Sequence, residues 1–219
     1  MISAGQFYSY LQYRWPHLLG LTIEHIVVVT ISIIIASIIA VMLGVSLYRT
    51  RQPANAALTI ANIFVTIPSF ALFGLFIPIL GLGYPPTVTA LVMYALLPIL
   101  RNTIVGLRGV DPAITESARG MGMTSRQILW HVELRLAWPV IITGIRVATL
   151  IILGIAAIAA YVNGPGLGKN IFTGLARLGT AQGFDLALSG TLGIVILAVV
   201  FDLCLALFGW LTTPRGMHD

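Results

Sequence analysis

The sequence predicts an all-α polytopic protein that crosses a membrane about five times, and three observations carry that reading. Hydrophobic residues make up 58% of the 219 and charged residues only 9%, whereas soluble domains carry about a quarter charged residues. Mean hydropathy is +0.98. The apolar residues gather into runs of roughly 20 or more, the length a helix needs to cross a hydrocarbon core about 30 Å thick. In lipid each backbone N–H and C=O must find its partner inside the protein, so such runs are expected as helices.

Residues 1–20 are aromatic and polar, with Phe7, Tyr8, Tyr10, Tyr13 and Trp15. No basic stretch precedes the first apolar run and no small-residue cleavage pattern follows it, so that run is expected to stay as a span. Residues 1–20 are expected as an extracytoplasmic segment and 21–212 as the membrane domain. Span one covers 26–48, rich in β-branched residues, and stops at Arg49, Arg51 and Pro53. Span two covers 56–80 and is kinked, because Pro68 and Pro78 each remove a backbone donor. A break there into two spans would make six and move one terminus to the other side. Tyr84-Pro85-Pro86 suggests a short turn before span three at 87–107, which holds Pro98 and Arg101 near one end. Spans four and five are expected at 139–161 and 186–211, followed by a tail at 213–219.

Lysine and arginine favour the cytoplasmic side of short loops. With the N-terminus outside, Arg49, Arg51, Arg101, Arg108, Arg119, Arg126, Arg135, Arg146 and Arg215 fall inside or near the inner boundary, against Arg14, Lys169 and Arg177 outside. The bias favours N-out, C-in. It also accounts for the net charge of +5 without nucleic acid, since no dense basic block exists.

The one long polar stretch on the expected inner side, 108–138, carries its own folding signals. Asp111-Pro112 suits an N-cap followed by proline at the first helical position. A short helix through Glu116, Ala118 and Arg119 would break at Gly120-Met121-Gly122. Thr124 and Gln127 have capping-box spacing, so a second helix starts at Ser125 and places Ile128, Leu129, Val132 and Leu136 on one face. A helical hairpin of this kind suits either of two roles: lying on lipid headgroups, or docking a short helix into a groove on a cytoplasmic partner.

Glu116-Ser117-Ala118, three residues, Gly122, nine residues, then Val132-Glu133-Leu134-Arg135 resembles the signature loop of ABC importer permeases, Glu-Ala-Ala, three residues, Gly, nine residues, Ile-x-Leu-Pro. Ser117 and Arg135 depart from it, the latter where the pattern has proline. The resemblance implies the type I ABC importer permease fold and a coupling helix seated on a nucleotide-binding subunit, with Glu116, Ala118, Gly122, Met123 and Thr124 in the coupling role. Further stretches are most similar to osmoprotectant permeases for glycine betaine, choline and carnitine: Thr66-Ile67-Pro68-Ser69, Tyr94-Ala95-Leu96-Leu97-Pro98, Gly109-Val110-Asp111-Pro112, Ala118 to Thr124, Gly144-Ile145-Arg146 and Gly166-Leu167-Gly168. Asn163-Gly164-Pro165 departs from the small-residue run expected there. The resemblance implies no catalytic residue and no cofactor on this chain. ATP would be bound by a separate ATPase, beside a second permease copy or sister permease, an external binding protein and the lipid of the bacterial inner membrane. An importer of another solute, such as methionine, and a proton-coupled carrier are the alternatives.

Other candidates carry less. Gly164-Pro165-Gly166-Leu167-Gly168-Lys169 superficially resembles a phosphate loop, but the glycine spacing is short and Asn170 stands where Ser or Thr is required. His17, His25, His131 and His218 are scattered without acidic partners at metal-ligand spacing, so no metal site is expected. Cys204, the single cysteine, is expected to pack against helix or lipid. Asp202 and Glu24 are acids at or near membrane depth, where charge is costly. A structural role, as a buried polar partner or an inner-leaflet anchor, is favoured for Asp202, with a path contact or proton coupling behind it. Arg146 is expected to snorkel inward. Ser189 and Gly193 form a small-residue pair that permits close helix packing. Trp15, Trp130, Trp138 and Trp210 are too dispersed for a cage around a quaternary ammonium.

Overall fold

The computed structural model describes residues 4–213, all of them helix, turn or connection. The tail from Pro214, with Arg215 and His218, lies outside the described residues. In chain order the helices are α1 (Ala4–Leu47), α2 (Arg51–Thr66), α3 (Ser69–Leu80), α4 (Tyr84–Arg108), α5 (Pro112–Gly120), α6 (Ser125–Ile128), α7 (Leu134–Ile158), α8 (Gly168–Ala176) and α9 (Ala181–Thr212). A π-helical turn, Leu129–Glu133, joins α6 to α7, and a 3-10 turn, Ala159–Val162, ends α7.

Four helical stretches, Phe7–Leu47, Tyr84–Arg108, Ser125–Val162 and Gln182–Thr212, are long and apolar enough to cross a membrane, and α2 with α3 makes a fifth candidate bent by 96°. The bundle has two ends. At one, here the loop end, Arg108 Nε donates to the Tyr48 carbonyl at 2.7 Å. At the far end the Gly83 N–H donates to the Val162 carbonyl at 2.9 Å. Since α2 starts at Arg51, close after Tyr48, and α3 finishes at Leu80, close before Gly83, the bent pair connects the two ends and serves as one broken span. Pro68 causes the break by lacking an N–H. The Ile67 carbonyl left at the bend accepts a hydrogen bond from the Tyr94 hydroxyl on α4, the kind of neighbouring help a broken membrane helix needs.

α4 is the central helix, packed chiefly against α7 and α1. Its buried face includes Leu91, Ala95, Ile99, Leu100 and Ile104, which join Val28, Val29, Ala36, Ile152 and Leu153 in one core. Apolar side chains gain little from leaving lipid, so small residues and close van der Waals packing hold such helices together. A Cβ placed on Gly144 would lie 2.6 Å from Asn102 Cβ and 2.9 Å from the Pro98 carbonyl oxygen. One on Gly44 would lie 2.5 Å from Thr103 Cγ2. These glycines set how near α7 and α1 come to α4.

Several expected boundaries differ. The helix expected at 26–48 begins at Ala4 and runs for 44 residues, about 66 Å at 1.5 Å per residue. From Ala4 on, the expected N-terminal segment is helical and continuous with span one: the helix runs through Pro16, and the Tyr10 hydroxyl lies 3.4 Å from Ser189 Oγ on α9. Pro85 and Pro86, expected as a turn, start α4 instead, because the first helical turn has no use for their missing N–H. Span four starts before 139, so Arg146 is three turns inside α7, paired with Asp202; it neither snorkels nor informs sidedness. α8, between spans four and five, has no counterpart in the sequence reading. Ser189 is buried and Gly193 lies against Leu167, so the small-residue pair serves packing on α1 and the far-end loop.

Gly144→Ala is expected to destabilise the protein by about 1–3 kcal/mol, the usual range for overpacking a tight interface. Gly74→Ala, where an added Cβ meets nothing within 4 Å, is expected to leave stability unchanged. Thermal unfolding of the two purified variants in one detergent checks both.

Candidate functional site

The loop-end hairpin is built by local chemistry. Asp111 Oδ1 accepts from the Ala113 N–H at 2.8 Å and Pro112 opens α5. The helix closes with the Met123 N–H on the Ala118 carbonyl at 3.1 Å and the Gly122 N–H on the Arg119 carbonyl at 2.9 Å, the paired bonds of a glycine-terminated helix. Gly122 has φ +86°, a left-handed conformation that a side chain disfavours. Thr124 then caps α6: its N–H donates to Gln127 Oε1 at 2.8 Å, and the Gln127 N–H reaches Thr124 Oγ1 at 3.4 Å.

Of the five residues assigned to coupling, Ala118 is buried at 2% exposure beneath the turn. Met123 is half-buried, while Glu116, Gly122 and Thr124 are exposed. Glu116, Gly122 and Thr124 therefore supply the outward surface, and Ala118 supplies the close packing under it. Two apolar side chains project beside them, Ile114 at 44% and Met121 at 77% exposure.

The expected apolar stripe Ile128, Leu129, Val132, Leu136 does not form. The buried residues are Ile128, Glu133, Ala137 and Ile141. The π turn supplies the reason: each turn of this kind inserts one extra residue, which rotates everything after it by about 100°. Val132 and Leu136 turn half outward and the Glu133 carboxylate turns in.

Glu133 is the centre of a cluster that the sequence reading did not identify. Tyr48 Oη donates to Glu133 Oε2 at 2.5 Å, Arg49 Nη2 donates to the same oxygen at 3.1 Å, and Arg49 Nε donates to Tyr48 Oη at 2.5 Å. Arg108 Nε and Nη2 donate to the carbonyls of Tyr48 and Thr50 at 2.7 and 3.1 Å. Both arms of the loop, Arg108 before it and Glu133 after it, thus grip the corner between α1 and α2. Arg49 and Arg108 had weight in the sequence only as inner-side charges. The one signal for the cluster was an acid, Glu133, inside an otherwise apolar stripe.

At the far end the phosphate-loop lookalike is occupied by the protein itself. Glu24 Oε2 accepts from the Gly166 N–H and from Lys169 Nζ, each at 3.0 Å. A Cβ on Gly168 would lie 2.0 Å from the Ala157 carbonyl oxygen. No group of three or more potential metal ligands occurs among the described residues.

This architecture is shared with solved transporters. A MetNI methionine ABC transporter in an inward-facing conformation matches with a TM-score of 0.77 at 25% identity, covering 90% of this chain and 96% of that one. The bundle and its hairpin define a type I ABC importer permease. The family model for the binding-protein-dependent transport system inner membrane component matches residues 32–211, and the chain belongs to that family. Its relatives include the choline transport system permease protein OpuBB of Bacillus subtilis (strain 168), 42% identical over 96% of this chain and 95% of that protein. The glycine betaine/carnitine/choline permease OpuCB of the same organism is 39% identical over 98% and 97%. The osmoprotectant import permease OsmW of Salmonella typhimurium is 39% identical over 92% and 94%.

Burial, and then the neighbouring Glu133 carboxylate, push the Tyr48 phenol up to about 12. A raised pKa means a contribution fully present below the ordinary phenol value of about 10 and lost as pH climbs towards the folded value. Thermal stability is expected to fall between those two values, with a smaller fall in Tyr48→Phe. At neutral pH Glu133→Gln is expected to lose about 1–2 kcal/mol, less than a fully buried pair because Arg49 is half exposed. Melting curves across pH check both.

Proposed function

We propose that this permease carries small osmoprotectants of the glycine betaine, choline and carnitine class into the cell, driven by ATP hydrolysed on a separate subunit. The observation that carries the reading is full-length similarity: proteins named for these solutes match over nearly the whole chain. The likeness to a methionine transporter speaks for shared architecture and less for shared solute, since its identity is lower.

In this reading the loop end is cytoplasmic and the far end external, with the N-terminus out and the C-terminus in. Arg49, Arg51, Arg108, Arg119, Arg126 and Arg135 all lie at the loop end, as the positive-inside bias requires. The hairpin α5–α6 seats in a groove of the ATPase, with Glu116, Gly122 and Thr124 at the contact, Met123 at its edge, and Ala118 bracing it. Ile114 and Met121 supply apolar anchors. A second permease, identical or a sister chain, completes the path, and an external binding protein supplies solute affinity, since Trp15, Trp130, Trp138 and Trp210 are too dispersed for a cage around a quaternary ammonium. No cofactor is needed on this chain.

Coupling follows from continuity. From Ser125 to Val162 the helix has no break, so a displacement of the hairpin passes directly into α7, and through α7 into α4. Closure of the ATPase dimer would then rock the bundle between outward and inward access.

Cells lacking their own osmoprotectant carriers, supplied with the neighbouring ATPase and binding-protein genes, are expected to take up radiolabelled glycine betaine, choline or carnitine only when this chain is present. Uptake of amino acids alone would overturn the solute assignment. Gly122→Arg is expected to reduce uptake at least about tenfold while the permease still reaches the membrane, because it forces a long side chain onto a left-handed residue at the contact. Undiminished transport would overturn the docking role of the turn.

A further inference from the structure

Deep in the bundle two formal charges face each other. Arg146 on α7 donates from Nε and Nη2 to Asp202 Oδ1 at 2.9 and 2.8 Å, and from Nη2 to Oδ2 at 2.8 Å. Tryptophans give their depth. Trp138 precedes Arg146 by eight residues, and Trp210 follows Asp202 by eight, about 12 Å along each helix. Such rings sit at headgroup level, which puts the pair near the midplane of a core about 30 Å thick. The Trp138 ring is held there by its bond to Thr212 Oγ1 at 2.7 Å.

Both side chains keep about a third of their surface open, 35% for Arg146 and 34% for Asp202. Lipid does not cover such a surface at that depth; charged groups there face water or protein. The Glu24–Lys169 pair is as open, at 39% for each side chain, but it lies at the far end of the bundle and not at mid-depth. Among the described residues Asp202 is also the one acid deep in a span: Glu24 and Asp185 lie towards the far end, and Asp111, Glu116 and Glu133 at the loop end. Thr143, Val147 and Leu150 lie on the open side of α7 around Arg146, and Val199 one turn from Asp202 on α9.

We infer that the Arg146–Asp202 pair lines the water-filled translocation path and reads the charge of the passing solute. Asp202 meets a cationic head group, and Arg146 meets the carboxylate of a zwitterion. The pair exchanges its mutual hydrogen bonds for those of the solute, so no charge is left bare at midplane. The choice of solutes rests on the function proposed above; the location of the path does not. Glycine betaine and carnitine carry both charges, whereas choline carries the cation alone. Arg146 therefore distinguishes the two kinds, and Asp202 serves both.

The test uses the assembled transporter with its ATPase in lipid nanodiscs, where both faces meet water. In a Cys204→Ser background, Leu150→Cys and Val199→Cys are treated with a cationic, water-soluble methanethiosulfonate. Both are expected to be modified and to lose transport. The unmodified chain is the control, because Cys204 sits about 200° round the helix from Asp202 and is expected to stay unlabelled. A Leu150→Cys transporter that remains active and unlabelled overturns the proposal. In the second arm Arg146→Gln is expected to raise KM for glycine betaine and carnitine at least about tenfold over any change for choline, the scale of one charge-assisted hydrogen bond. Asp202→Asn is expected to raise KM for all three, with recovery in Asp202→Glu. A uniform fall in kcat for every solute, with KM untouched, is the signature of a structural pin and overturns the charge-reading role. If a neutralised variant does not assemble, the cysteine arm decides, since it leaves the pair intact. If none of the three solutes is carried, the solute assignment fails, and the labelling alone decides whether the pair lines the path.

Discussion

A carboxylate carried on an apolar helix must find its partners inside the protein, and much of the loop end follows from where Glu133 finds them. Tyr48 and Arg49 stand at the finish of α1, so Glu133 has to face α1 for the charge to be met. Regular α-helical phase from Ile128 would turn Val132 inward instead. The π turn at Leu129–Glu133 resolves the conflict by one inserted residue. Every later contact of α7 inherits that rotation, including Ala137 against Gly106 and Gly144 against Asn102. The register of the central helix pair thus depends on a single ion cluster at its edge.

Elements whose signal is local were legible in the sequence. The Asp111-Pro112 start of α5, the glycine stop and the Thr124–Gln127 box each involve residues within a few positions of one another, and the structure forms all three. Apolar run length likewise located the crossings. What escaped was set by distance in sequence. Glu133 and Tyr48 are 85 residues apart, and no periodicity within either helix points to the other. The π turn is invisible for the same reason: its cause lies on α1. The start of α1 escaped because Tyr, Gln and Ser at its N-terminal turns look like an interfacial segment until Ser189 and Leu192 of α9 are known to lie against them. Hydropathy alone showed no role for α8, whose Gly168 and Gly174 are there to let it approach Ala157 and Ala187.

The far end is organised on a different principle from the loop end. Glycines there admit backbone to backbone: Gly168 against Ala157, Gly164 against Ala159, Gly174 and Gly183 against each other's segment. Glu24 then closes the arrangement by taking the Gly166 N–H and the Lys169 ammonium. Close backbone packing with few long side chains leaves little freedom to deform. This half packs as one block with α1, α7 and α9, while the break at Pro68 gives α2 and α3 separate directions within one crossing.

In the proposed function force enters at the hairpin, and that division decides where it goes. A lever works only if its attachment is stiffer than the load it moves. The hairpin itself has few bonds to the bundle, but its two roots do not: Arg108 holds the corner after α1 through two backbone carbonyls, and Glu133 holds the same corner through side chains. A push on α5 therefore reaches α1, α4 and α7 together instead of unwinding the loop. Beyond that corner, α2 leads to the bend at Pro68, where one hydroxyl from Tyr94 supports the Ile67 carbonyl. Relative motion between α2 and α3 is expected there, because at Pro68 the crossing has given up its continuous backbone ladder.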